Sequence, residues 1–296
     1  MRYNNHAHST IRNYTERLAK WVTPIWRNLE IQTITRNQVS ELIFHDPEMQ
    51  KMSEHSRKTI LKMIRRVFEM AVEDGVLDRN PCTGIQVKVA EVEQKVLTKT
   101  EVEIFLREAM IANHRFFPIW FTALETGLRS GELMSLQWTD IDLEGGIMSI
   151  TRQWSSNLGF TTTKTQRSRV VPISSELSVF FNELKTKRKS ETDFVLPHLL
   201  EWENGEQARI TREFCVAIGI TPIKFHDLRA TFITNLLVNG VSLAQVMSVV
   251  GHHQIKTTNG YLRKAGVEVR GVTDRLGYKM PKAEVGNVFQ FRKRES

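Results

Sequence analysis

The chain has 296 residues, of which 41% are hydrophobic and 25% charged, and it carries a net charge of +8. That length exceeds the usual single-domain size, so two domains are expected, each long enough to bury a core. The excess of Lys and Arg favours a polyanionic partner, and two cysteines without paired spacing, Cys82 and Cys215, argue against a disulfide framework or a zinc knuckle.

The opening MRYNNHAHST lacks the apolar core of a signal peptide, and no apolar run approaches the roughly 18 residues that cross a bilayer, so a cytoplasmic protein without membrane contact is expected. Ile11, Tyr14, Leu18, Trp21 and Val22 recur with a 3.6-residue period and predict a first helix, with Ser9 or Thr10 as its cap. Thr35 followed by Gln38 is a capping-box pattern ahead of Val39, Leu42 and Ile43. A third helix, over about 56–74, turns Ile60, Ile64, Val67, Phe68 and Ala71 inward and ends at Gly75. Another of its faces carries Lys58, Lys62, Arg65 and Arg66, a stripe that suits a phosphate backbone and equally suits a solvated face. Asn80-Pro81 stops helical structure, and residues 85–96 read as an extended linker after a helical domain at 1–84.

The second domain is expected over 97–280. Thr98 and Glu101 form another capping box, and 116–126 predicts a buried helix. Gly127 and Gly131 then flank Arg129, which suits a residue presented from a turn at a helix start. From 138 to 173 the period changes to two, which predicts a small antiparallel sheet with Lys164 at the turn before its last strand. Helical patterning returns at 174–187 and 206–218. The stretch from 226 to 261 follows, with His226 and Arg229 on one helical run, then His252 and Tyr261. A polar helix near 264–276 precedes a tail, 281–296, in which Val288, Phe289 and Phe291 are apolar. The fold class is therefore mainly α with a small antiparallel β-sheet (α+β).

Two imidazoles, guanidiniums, a lysine and a phenol suit attack on a phosphodiester. A tyrosine nucleophile has a free pKa of about 10, so it needs a base or a strongly cationic site. Arginine matches the non-bridging oxygens through its planar fork, and a lysine on a turn can protonate a leaving 5′ oxygen. Such a site requires no metal or other cofactor, and the chain has no carboxylate cluster or H-E-x-x-H to hold a metal.

Thr-Gly-Leu-Arg129 with Glu132, Lys164 before RSRVVPI, His226-Asp-Leu-Arg229, and Gly251-His252 followed by Thr257-Thr258-Asn-Gly-Tyr261 together resemble the tyrosine recombinase (phage integrase) family. Each fragment alone is a weak signal, and their fixed order is specific. The resemblance implies Tyr261 as the nucleophile forming a 3′-phosphotyrosyl link and Arg129 and Arg229 as clamps on the scissile phosphate. It implies Lys164 as general acid, His226 as general base or proton shuttle, His252 as a further phosphate donor and Glu132 as the group orienting the arginines. It also implies double-stranded DNA as partner, a core-binding role for the N-terminal helices, assembly as a tetramer on DNA, and a tail whose residues 288–291 dock on a neighbouring subunit. A directionality factor is a further partner such enzymes can use. Many phage integrases carry another small domain ahead of the core-binding one, for which this chain has no room; it is either the two-domain type or trimmed.

Taken singly, each residue has a bland reading: His226 and Arg229 as a surface pair, Tyr261 as a half-buried helix residue, Lys164 as solvated, Arg129 as a helix-end contact, and His252 with His253 as an incidental pair or weak metal site. His253 inherits no role. The apolar run Leu236, Leu237, Val238, Leu243, Val246, Val249 and Val250 reads as core. Two rivals stand beside a site-specific recombinase: a type IB topoisomerase-like relaxing enzyme and a DNA-binding accessory protein without catalysis.

Overall fold

The computed structural model describes residues 8–90, 94–156, 158–162, 168–187 and 193–251. The chain divides between Glu93 and Gln94 into two units, each with its own buried core. Among the described residues no helix is long and apolar enough to cross a membrane.

The first unit runs through α1 (His8–Trp21), α2 (Thr23–Trp26), α3 (Arg36–Phe44), α4 (Pro47–Gln50) and α5 (Glu54–Glu73). Along α1, Ile11, Tyr14, Leu18 and Trp21 are half-buried and lead to buried Val22, the stripe its period dictates. Ser9 and Thr10 lie inside the helix, so neither caps it. The capping box of α3 is reciprocal: the Gln38 backbone N–H donates to Thr35 Oγ1 at 3.3 Å, and Gln38 Oε1 accepts from the Thr35 N–H at 2.8 Å. α5 begins slightly before the expected position because Ser53 takes the cap and accepts from the Ser56 N–H. Ile60, Leu61, Met63, Ile64, Phe68 and Ala71 are buried, while Val67 is half-buried.

The expected linker differs in its first part. Ile85 and Val87 are buried in the core of the first unit, with Val89 packed against it. An extended chain places alternate residues on one face, so IQVKV offers Ile85, Val87 and Val89 to the helices. A short alternation of this kind is invisible to a search for long apolar runs.

The second unit contains α6 (Lys99–Ile111), α7 (Phe117–Thr126), α8 (Ser130–Met134), β1 (Ile141–Asp142), β2 (Ile147–Ile150), β3 (Arg152–Ser155), β4 (Gly159–Thr162) and β5 (Arg169–Pro172). After these come α9 (Ser175–Lys187), α10 (Leu200–Glu203), α11 (Gln207–Ala217), α12 (Phe225–Val238) and α13 (Leu243–Val250). The single sheet expected from the alternation is two antiparallel pieces. β2 lies between β1 and β5, with Met148 opposite Val171, and β3 pairs with β4, with Trp154 opposite Phe160. β2 turns Met148 and Ile150 into the core, whereas β3 is half-buried along its length and packs against α8. That packing needs Gly131: a Cβ there would meet the Trp154 carbonyl oxygen at 2.8 Å.

α12 is the central helix, in contact with α7, α11 and α13. Leu228, Ala230, Thr231, Ile233, Thr234 and Leu237 are all buried along it. Of the apolar run expected as core, Leu237, Val246 and Val250 are buried and Leu236, Leu243 and Val249 half-buried, but Val238 is 59% exposed because the helix ends there facing outward. The helix expected near 264–276 and the docking residues 288–291 lie outside the described residues.

Candidate active site

The site is built from the turn between α7 and α8. Gly127 ends α7 in the left-handed conformation, φ +61°, and a Cβ there would lie 2.3 Å from Cδ1 of Phe232 on α12. Backbone sign and close helix approach thus demand glycine independently. Buried Leu128 anchors the turn, and Arg129 follows as the extended residue at the start of α8. Its backbone N–H donates to Glu132 Oε2 at 2.8 Å and its Nη1 to Glu132 Oε1 at 2.9 Å. The Arg129 side chain keeps 23% exposure while Glu132 has 1%, so the carboxylate is the buried anchor and the guanidinium reaches solvent.

A second guanidinium meets the same carboxylate. Arg169 of β5 donates Nη1 to Glu132 Oε1 at 2.9 Å and Nη2 to Oε2 at 2.7 Å. Burial pushes the Glu132 carboxyl up, but the hydrogen bonds and charge of Arg169, joined by those of Arg129, outweigh it and hold the group down at about 2. A buried carboxylate is tolerable only when paired in this way.

Arg229 is buried on α12, one Nη donating to the Gly127 carbonyl and the other to the Val250 carbonyl at 2.7 Å. Arg169 Nε donates to the Val249 carbonyl at 2.9 Å. Val249 and Val250 sit at the end of α13, where carbonyls have no partner within the helix and a nearby cation is favourable. His226 is exposed in the first turn of α12, whose start is fixed by the Lys224 N–H donating to Asp227 Oδ2 at 2.8 Å.

The structure therefore brings Arg129, Glu132 and Arg229 together and sets His226 one helical turn before Arg229. Lys164, His252 and Tyr261 lie outside the described residues. Among the described residues, three guanidiniums gather around this turn, a donor set whose planar forks suit the oxygens of an anion. Among the described residues no group of His, Cys, Asp and Glu is gathered to hold a metal.

The basic stripe of α5 is not one continuous exposed surface. Lys58 and Lys62 are exposed, but Arg65 turns inward and donates to the Ile85 carbonyl at 2.6 Å, and Arg66 pairs with Glu73 at 2.9 Å. Ile85 supplies an acceptor within reach of α5, which the spacing along the helix alone does not reveal.

Residues 95–268 match the family model of the phage integrase family. The chain belongs to this family of tyrosine recombinases. It is 28% identical over 243 residues to a XerC-like tyrosine recombinase of Caldanaerobacter subterraneus, a match covering 71% of this chain and 62% of that protein, less than two thirds of its length. It is 26% identical over 260 residues to the ICEBs1 integrase of Bacillus subtilis, covering 81% of this chain and 69% of that one. The Tn1549 transposon integrase, solved with circular intermediate DNA, shares the fold with a TM-score of 0.77 at 18% identity, covering 93% and 95% of the two chains. The lambda integrase tetramer on a Holliday junction does so with a TM-score of 0.69 at 18% identity, covering 90% and 75%.

Sequence reasoning misses three supports of this site. Arg169 lies within RSRVVPI, where the signal is alternation, which places it on the same strand face as buried Val171. Trp202 of α10 donates its indole N–H to Ser130 Oγ at 2.8 Å, and a ring nitrogen of His198 lies 2.9 Å from the Met134 carbonyl. Both brace α8 from residues distant in sequence, and no local pattern marks them.

Proposed function

We propose that this integrase is a site-specific DNA recombinase acting through a 3′-phosphotyrosyl intermediate, with Tyr261 as nucleophile. The observation that supports it most directly is the junction at Gly127: Arg229 binds the carbonyl two residues before Arg129, so the two arginines assigned to the scissile phosphate share one rigid turn although they are far apart in sequence. In this reading the Tyr261 oxygen attacks phosphorus, its proton passes to His226, and the bond from phosphorus to the 5′ oxygen breaks as Lys164 protonates that oxygen. Arg129, Arg229 and His252 neutralise the non-bridging oxygens, and Glu132 orients Arg129. One phosphodiester is exchanged for a phosphotyrosyl bond, which a second 5′ hydroxyl reverses, so no ATP is consumed. The N-terminal helices would grip duplex DNA as a core-binding domain, four copies would assemble on DNA in the cytoplasm, and a directionality factor would bias the outcome.

The test uses a duplex selected from a randomised pool by binding to the full chain, nicked so that cleavage releases a short strand and traps the adduct. Wild type is expected to give a covalent protein–DNA band on a denaturing gel, with or without chelator, and Tyr261→Phe none. An adduct from Tyr261→Phe, or none from wild type, refutes the mechanism; relaxation of plasmid without strand exchange would point to a topoisomerase instead.

A further inference from the structure

Two guanidiniums reach the end of α13 from different elements. Arg229 comes from α12 to the Val250 carbonyl, and Arg169 comes from β5 to the Val249 carbonyl. Arg169 at the same time grips Glu132, the carboxylate that holds both the backbone and the side chain of Arg129. A single planar group thus spans α8 and the end of α13, after which the chain passes Gly251 and, next in sequence, reaches His252. The approach is close: Gly251 adopts φ +69°, and a Cβ on it would lie 3.0 Å from Cδ of Arg169. The Arg169 side chain is only 9% exposed, so it serves this span rather than the solvent.

We infer that Arg169 is a positioning residue for strand cleavage, registering the Arg129 turn against the exit of α13 through Glu132. The inference rests on the recombinase reading and adds a residue to which that reading assigns no part. Its physical basis is directional. Three donated hydrogen bonds from one rigid fork fix the relative placement of two elements, which a lysine, a single charge on a flexible stem, cannot reproduce. Without the fork Glu132 keeps its charge but loses two donors, and the Arg129 guanidinium loses the stop against which it is aligned. Misplacement of a catalytic group by about 1 Å can cost on the order of 100-fold in rate.

The test measures the single-turnover rate of adduct formation on the nicked duplex at saturating protein, together with duplex affinity, for the full chain and for Arg169→Gln, Arg169→Lys, Glu132→Gln and the double variant Arg169→Gln/Glu132→Gln. Arg169→Gln is expected to slow cleavage roughly 10- to 100-fold with affinity within about twofold, Arg169→Lys to remain slow, and the double variant to be no slower than the worse single one, because both residues act through one contact. A wild-type rate constant in Arg169→Gln overturns the inference. So does a loss confined to the fraction of active molecules, which marks a merely structural role, and so do losses that multiply in the double variant. Should Arg169→Gln fail to fold, Arg169→Lys decides: a full rate refutes the role, and a slow rate at unchanged affinity supports it. Absence of adduct from wild type would instead refute the recombinase reading itself.

Discussion

Replacing Gly127 by alanine tests how the arginine turn is held. Two costs arise from separate features. The left-handed backbone, φ +61° and ψ +20°, disfavours any residue with a Cβ by about 1–2 kcal/mol. The added Cβ would also stand 2.3 Å from Cδ1 and 2.8 Å from Cε1 of Phe232, so the ring or the spacing of α7 and α12 must give, at about 1–3 kcal/mol. The sum, roughly 2–5 kcal/mol, lowers the melting temperature of the second unit by roughly 4–20 °C for a domain of this size. Denaturant melts of wild type, Gly127→Ala, Phe232→Ala and the double variant separate the terms. In the Phe232→Ala background the glycine substitution should cost less by the steric part and retain the backbone part of about 1–2 kcal/mol. An equal cost in both backgrounds would refute the steric argument, and a neutral Gly127→Ala would refute both.

Glu132 and acid stability are linked by sign. Its carboxyl is held at about 2, below the ordinary 4.5, so its contribution is complete above 4.5 and is lost as pH falls from there toward 2. Glu132→Gln should destabilise by about 3–5 kcal/mol at neutral pH and by much less near pH 2; parallel stability-versus-pH curves for variant and wild type would contradict this. On α5, Lys58→Glu with Lys62→Glu should weaken DNA binding and flatten its salt dependence without changing the melt, whereas Arg65→Met should destabilise the first unit by about 1–3 kcal/mol through the orphaned carbonyls of Ile85 and Cys82. Binding titrations across salt concentrations and thermal melts check both, and a melt unchanged by Arg65→Met would return that residue to the exposed stripe.

What the sequence determined by itself is what depends on neighbours along the chain. The capping boxes at Thr35 and Thr98 were legible because their partners sit three residues away, and the inward faces of α1 and α5 because a helix repeats every 3.6 residues. The order of the fragments around Arg129, His226 and Arg229 was likewise legible, and with it the family. Tertiary structure alone decided the rest. It divided the strands into two sheets, folded residues 85–89 onto the first core, turned Arg65 from a stripe to an inward contact, and exposed Val238. It also joined Arg169 both to Val249, 80 residues further along the chain, and to the carboxylate of Glu132. The reason is physical: a charged side chain has no intrinsic role, and whether it meets solvent, a phosphate or a buried carbonyl is set by which atoms the fold brings within about 3 Å of it.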